Sequence, residues 1–193
     1  MTDDITEQYL PLLAKLLKHE RFMHSLGVRD TAGLLAERYG ADMQKARLAG
    51  LLHDITKNRN KEFHLHTLKK HGLDADKLLL HSRKVWHSVT GAYYVRDVLG
   101  IDDAEIFDAI RYHTTGRAGM TTLDKIIYTA DFIEPSRKYE GAEQLRKTAF
   151  EDIDKACLEG VKFCIEEQLS VPDTIYPDTL DFYNDLIYTK GDV

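Results

Sequence analysis

Cysteine, proline and glycine are all scarce in this chain. Its two cysteines, Cys157 and Cys164, make neither a disulfide framework nor a cysteine-based zinc motif. Their spacing puts both on one helical face as small core side chains, so free thiols in a reducing compartment are expected. Four prolines and twelve glycines in 193 residues are too few for a loop-rich β architecture. No apolar run approaches the ~20 residues that span a bilayer. The start, Met1-Thr2-Asp3-Asp4, has no basic-then-apolar leader pattern. These absences give the expectation of a cytoplasmic protein without a membrane partner. Positive charge is short as well. Lysine and arginine number 26 against 32 aspartates and glutamates, a net charge of −6. A nucleic-acid partner is therefore not expected, and a phosphate-bearing ligand would need a local cluster of cations. Strand-like alternation, internal repeats and low-complexity tracts are missing too.

What remains is helical periodicity and an ordinary balance of 43% hydrophobic and 30% charged residues. It predicts an all-α fold, one domain over residues 1–193 with a core of useful size. Helices are expected at about 5–18 and 19–39, the second stopped by Gly40, and from an Asp42 N-cap to His53. The histidine-rich stretch 58–84 (His64, His66, His71, His81) reads as short helices and loops. Further helices are expected at about 85–99, 103–113, 121–133, 140–169 and 178–189. Within 140–169 a stripe of Phe150, Ile153, Cys157, Val161, Cys164 and Gln168 marks a packing helix.

Polar residues interrupt the apolar stripes. The inner face of one helix runs His24, Val28, Ala32, Leu35, and that of the next Ala46, Ala49, Gly50, His53. Others run Ile106, Ala109, Ile110, His113, then Leu123, Ile127, Asp131, and His87 shares a face with Gly91, Tyr94 and Val98. One histidine on such a stripe is usually a satisfied core residue. Five helices pointing an imidazole or carboxylate inward demand more, because Asp54 and Asp131 are costly to bury without a cation. Imidazole with carboxylate suits a borderline to hard divalent metal. Lys57, three residues after Asp54, is either a phosphate contact or a solvated lysine.

Several stretches resemble the HD superfamily of metal-dependent phosphohydrolases. They are Arg21 to Val28, Ala49 to Lys57, His87 with Gly91-Ala92, Ala109 to Gly116, Tyr128 to Arg137, and Tyr176 to Leu180. The likeness is closest to the YqeK family of symmetrical diadenosine tetraphosphate hydrolases. His113-Thr114-Thr115-Gly116 and Ala130-Asp131 with Glu134-Pro135 and Arg137 are its most specific parts. The middle histidine is taken as His87 rather than His81 because Gly91-Ala92 follow it.

The resemblance implies a helical bundle with a central metal on His24, His53, Asp54 and Asp131. Iron is the implied ion, with manganese, cobalt and magnesium as alternatives. It implies a dinucleoside polyphosphate substrate touched by Arg21, Asp54, Lys57, His87, His113, Asp131 and Arg137. The loop Thr174, Ile175, Tyr176, Pro177, Asp178, Thr179 would line the nucleotide site, and a homodimer is also implied. The expected chemistry is hydrolysis to two ADP by a metal-bound hydroxide. Asp54, Lys57 and His113 are the expected catalytic residues, with His87 or His113 either a general acid or, with Asp54, the holder of a second metal. Another HD nucleotidase or phosphodiesterase, or a non-catalytic nucleotide sensor, stands as the alternative.

Overall fold

The computed structural model describes residues 5–74, 76–171 and 174–190. The acidic start and Pro172 lie outside these. Among the described residues the fold is all-α, with eleven α-helices. A 3₁₀ turn, Glu7–Tyr9, leads into α1 (Leu10–Leu16), so the stretch expected as one helix from residue 5 is two short pieces. Helix α2 spans His19–Tyr39 and ends at Gly40 in the left-handed region. Helix α3 (Met43–Leu52) begins where the Asp42 carboxylate accepts the backbone N–H groups of Gln44 and Lys45. The histidine-rich stretch forms α4 (Lys61–Lys70), α5 (Lys77–His81) and a 3₁₀ turn, Arg83–Val85.

Helices α6 (Trp86–Asp97), α7 (Ala104–Tyr112) and α8 (Thr122–Ile133) follow. Asp103 caps α7, and Thr121 with Asp124 forms a capping box on α8. On α6 the apolar face expected to reach Val98 stops short of it. Val98 is solvent-exposed, whereas Val89, Ala92 and Val95 are buried. Helices α9 (Ala142–Glu151), α10 (Ile153–Leu169) and α11 (Pro177–Lys190) are the last among the described residues.

The single helix expected over 140–169 is thus two. Asp152 leaves the helical region at φ −149° and accepts the Lys155 N–H as the N-cap of α10. A short aspartate side chain competes with the helical backbone for its own hydrogen bond, which favours a restart. The carbonyls left at the end of α9 are taken up by α2: Arg38 donates to Phe150 O and Tyr39 to Ala149 O. Phe150 consequently leaves the Cys157 stripe and stands partly exposed.

Helices α2, α3, α7 and α8 pack on one another around the main core, in which Val28, Leu35, Leu52, Ile110 and Ile127 are fully buried. Helix α6 packs on α7, and α10 packs on α8. Gly50 lets α2 and α3 approach closely, since a Cβ there would meet Val28 O at 3.1 Å and Ala32 Cβ at 3.2 Å. That approach brings the inner stripes of the two helices, and so His24 and His53, within reach of each other. A second, smaller core of Leu68, Leu79, Val85, Trp86, Val89 and Tyr176 holds the α4–α5 segment against α6. There the Trp86 indole N–H donates to Leu79 O at 2.7 Å.

Candidate metal centre

The polar residues singled out on separate stripes meet at one place inside the bundle. His24 Nε2 lies 3.3 Å from His53 Nε2 and 3.0 Å from Asp131 Oδ1. His53 Nε2 is 3.4 Å from Asp54 Oδ2 and 3.9 Å from Asp131 Oδ1. On the other side of Asp54, its Oδ1 faces His87 Nε2 at 3.2 Å and His113 Nε2 at 3.7 Å. The two latter nitrogens are 3.2 Å apart. All four histidines and Asp54 are buried, and Asp131 is the partly open member.

The outer ring nitrogens explain the orientation of the inner ones. His53 Nδ1 donates to Gly50 O at 2.7 Å, and His113 Nδ1 donates to Ile110 O at 2.8 Å. A carbonyl can only accept, so the proton of each neutral ring sits on Nδ1 and the Nε2 lone pair points inward. His24 Nδ1 lies 3.0 Å from Glu134 Oε1. That carboxylate is itself oriented by the backbone N–H of Ser136 at 2.8 Å and by the Ser136 hydroxyl.

Lone pairs converging at such distances repel one another, and a cation among them removes the repulsion. Asp54 Oδ1 is fully buried and makes no hydrogen bond among the described residues. Two triplets, His24–His53–Asp131 and His53–Asp54–His113, each have their ligand atoms within 4.8 Å of one another. Imidazole and carboxylate together, each imidazole steered by an outer acceptor, are the donor set of a divalent metal. The residues present therefore fit a divalent metal site.

Charges are tuned accordingly. Burial alone would push the Asp54 carboxyl up, and only positive charge on the side of His53, His87 and His113, as imidazolium or as a cation held among them, brings it well below the usual carboxylate range. Asp131 is likewise low: His24, His53 and the Arg137 guanidinium outweigh its burial. Burial drives His87 down to about 3, aided by the neighbouring Lys57 ammonium, and also lowers His113. Arg21 Nη1 contacts Asp54 Oδ2 at 2.8 Å, and Arg137 pairs with Asp131 while its Nε donates to Asp131 O at 2.7 Å. Lys57 Nζ is 3.0 Å from His87 Nε2 and 3.8 Å from Asp54 Oδ1.

The loop expected at the nucleotide borders a cavity beside the centre. Thr174, Tyr176 and Thr179 line a cavity of about 110 Å³ together with Ser82, Thr114 and Thr115. Thr174 Oγ1 is 3.0 Å from Ser82 Oγ, and Tyr176 donates to Asp76 Oδ2 at 2.9 Å. Asp178 lies 3.9 Å from the Arg111 guanidinium. Ile175 and exposed Pro177 are not part of the cavity wall. Thr114 links this cavity to the centre, its Oγ1 being 3.3 Å from His87 Nε2. On the opposite flank an open basin of about 530 Å³ is walled by His24, Arg21 and Arg137. Sequence reasoning gave no role to Thr114 of the smaller cavity, nor to Glu134, Lys18, Asn58, Lys138 or Tyr139 of this basin. The position of Glu134 three residues after Asp131, just before Pro135, was the one available sign.

Similar proteins carry the same framework. The family model for the HD domain matches residues 21–136. The symmetrical bis(5'-nucleosyl)-tetraphosphatase of Bacillus subtilis is 40% identical over 94% of this chain and 97% of its own. The Halalkalibacterium halodurans protein of the same name is 42% identical over 92% of this chain and 95% of its own. A Clostridium acetobutylicum crystal structure, described as that of a predicted HD superfamily hydrolase involved in NAD metabolism, superposes with a TM-score of 0.92 at 37% identity. It covers 95% of this chain and 97% of that one.

Proposed function

The chain belongs to the HD domain family, and from that premise we propose that it is a metal-dependent hydrolase that splits diadenosine tetraphosphate symmetrically. One water is consumed and the central anhydride bridge breaks, so the products are two ADP. The observation that carries this reading is the convergence of the His24, His53 and His113 Nε2 atoms on two low-pKa carboxylates, each ring fixed from outside. The relatives named as symmetrical bis(5'-nucleosyl)-tetraphosphatases support the substrate.

In this reading His24, His53, Asp54 and Asp131 hold the metal, and iron is the resident ion. A bound divalent ion supplies a water acidified toward a pKa of ~7 and a Lewis acid for a phosphoryl oxygen. The chain supplies the rest. Arg21, Arg137 and Lys57 stand around the centre as three cations, placed to take charge that builds on the transferring phosphoryl group and the departing ADP. Arginine offers several donors in a fixed fork, so Arg21 and Arg137 keep N–H groups for phosphate oxygens while contacting their carboxylates. His113 presents a lone pair toward Asp54, the posture of a ligand, and we assign it there rather than to proton donation. His87, held neutral by burial, orders that flank beside Thr114, next to which the 174–179 loop receives a nucleotide. Two free cysteines suit a cytoplasmic location.

Separation of the products of diadenosine tetraphosphate by anion exchange tests the reading. ADP as the sole nucleotide product is expected. ATP plus AMP would mean attack at an outer phosphate and would overturn the symmetrical assignment. Elemental analysis of the purified protein tests iron.

A further inference from the structure

Symmetrical cleavage leaves one ADP on each side of the broken bond, so the proposed reaction needs two nucleotide seats. The cavity beside the 174–179 loop borders the centre on its Thr114–His87 flank. On the His24 flank lies the more spacious basin, about 530 Å³. Its wall combines Lys18, from the link between α1 and α2, with Asn58, beyond Asp54, and with Lys138 and Tyr139, beyond α8.

Lys18 and Lys138 are exposed, and neither ammonium makes an ion pair among the described residues. Lys45, Lys70 and Lys125 pair with Asp103, Asp97 and Asp154, whereas Lys18 and Lys138, like several other surface lysines, have no such partner among the described residues. The basin thus carries two uncommitted cations beside Arg21 and Arg137. Of its two glutamates, Glu134 is engaged by His24 and Ser136, and exposed Glu20 is the one carboxylate in the wall without an ion pair among the described residues. Asn58 fixes the geometry, because its Oδ1 accepts the Lys18 N–H at 2.8 Å and so ties that link to the segment after the metal-facing Asp54. Tyr139 gives a rigid aromatic border: its ring stacks on Phe163, and its hydroxyl donates to Phe132 O at 3.0 Å. Polyanion-binding cations next to a fixed aromatic ring suit a nucleotide.

We propose that this basin seats the second nucleoside diphosphate, with Lys18 and Lys138 on its phosphates and Tyr139 bordering its nucleoside. The proposal rests on the symmetrical reading above and assigns these residues to the half of the substrate opposite the 174–179 loop. Each lost charge-assisted contact weakens binding roughly tenfold or more.

The test is equilibrium dialysis of the metal-loaded protein against ADP. The wild type is expected to bind two ADP per chain. The Lys18→Ala/Lys138→Ala double variant should keep one, and Lys18→Arg/Lys138→Arg should restore two. One ADP per chain in the wild type, or two bound undiminished by the double alanine variant, would overturn the second seat. Turnover of diadenosine tetraphosphate by the same preparation keeps the two claims apart. Turnover with a single ADP site removes the seat and leaves the hydrolase. Two sites without turnover support the seat and remove the hydrolase.

Discussion

Four of the nine histidines face one another inside the bundle, and four more crowd the segment 58–84 without meeting. The crowded ones have the higher local density, yet local partners occupy them or solvent surrounds them. His64 Nδ1 lies 2.8 Å from Thr90 Oγ1 inside the smaller core. His71 stacks on Tyr93 at 3.8 Å and lies 3.0 Å from Asp97. His66 and His81 are exposed. The central four come from far apart in the chain: His24 from α2, His53 from the end of α3, His87 from α6 and His113 from the end of α7, the second and fourth each just past the last helical residue. In His24, His53 and His113 the Nδ1 is engaged by an outer partner and Nε2 is left inward. Ligand character here is made by convergence and by outer hydrogen bonds, not by histidine content.

The sharpest way to break this contrast is at the carboxylate between the two halves of the centre. Asp54→Ala should remove bound metal and lower turnover on the order of 10³-fold; an inactive variant with full metal content by elemental analysis would contradict a ligand role. Glu134→Gln probes the outer contact alone. It keeps the shape but not the charge facing His24 Nδ1, so metal affinity should fall about 10–100-fold, and excess metal should restore most of the turnover. Arg137→Ala should raise KM for diadenosine tetraphosphate about tenfold by removing a charge-assisted phosphate contact, with metal content intact. His64→Ala is the control from the crowded segment. It should cost about 1–3 kcal/mol in thermal or denaturant unfolding through a lost buried contact, and leave metal content and kcat/KM unchanged. A loss of metal there would end the distinction between the two groups.

Much of this was legible because helical spacing places a residue on a face. The stripes carrying His24, His53, His113 and Asp131 point where that spacing says, and Gly40 and Asp42 act at their helix ends. The break at Asp152 was not legible, because the apolar rhythm runs on through it: the buried residues of α9 and α10 join one core, so periodicity sees no boundary. Glu134, like His53 and His113 the residue just past its helix, lies three residues after Asp131 on the face that helical spacing does reach, yet no role was read for it. The basin was missed for another reason. Its wall draws on three non-helical stretches, at Lys18, Asn58 and Ser136–Tyr139, which only the packed helices bring together.

Metal dependence of turnover tests the central claim most directly. The protein would be stripped with a chelator, then titrated with a divalent metal while ADP release from diadenosine tetraphosphate is followed. The account predicts that ADP release stops on stripping and returns in proportion to metal rebound at the centre. Undiminished ADP release from the stripped protein would contradict it.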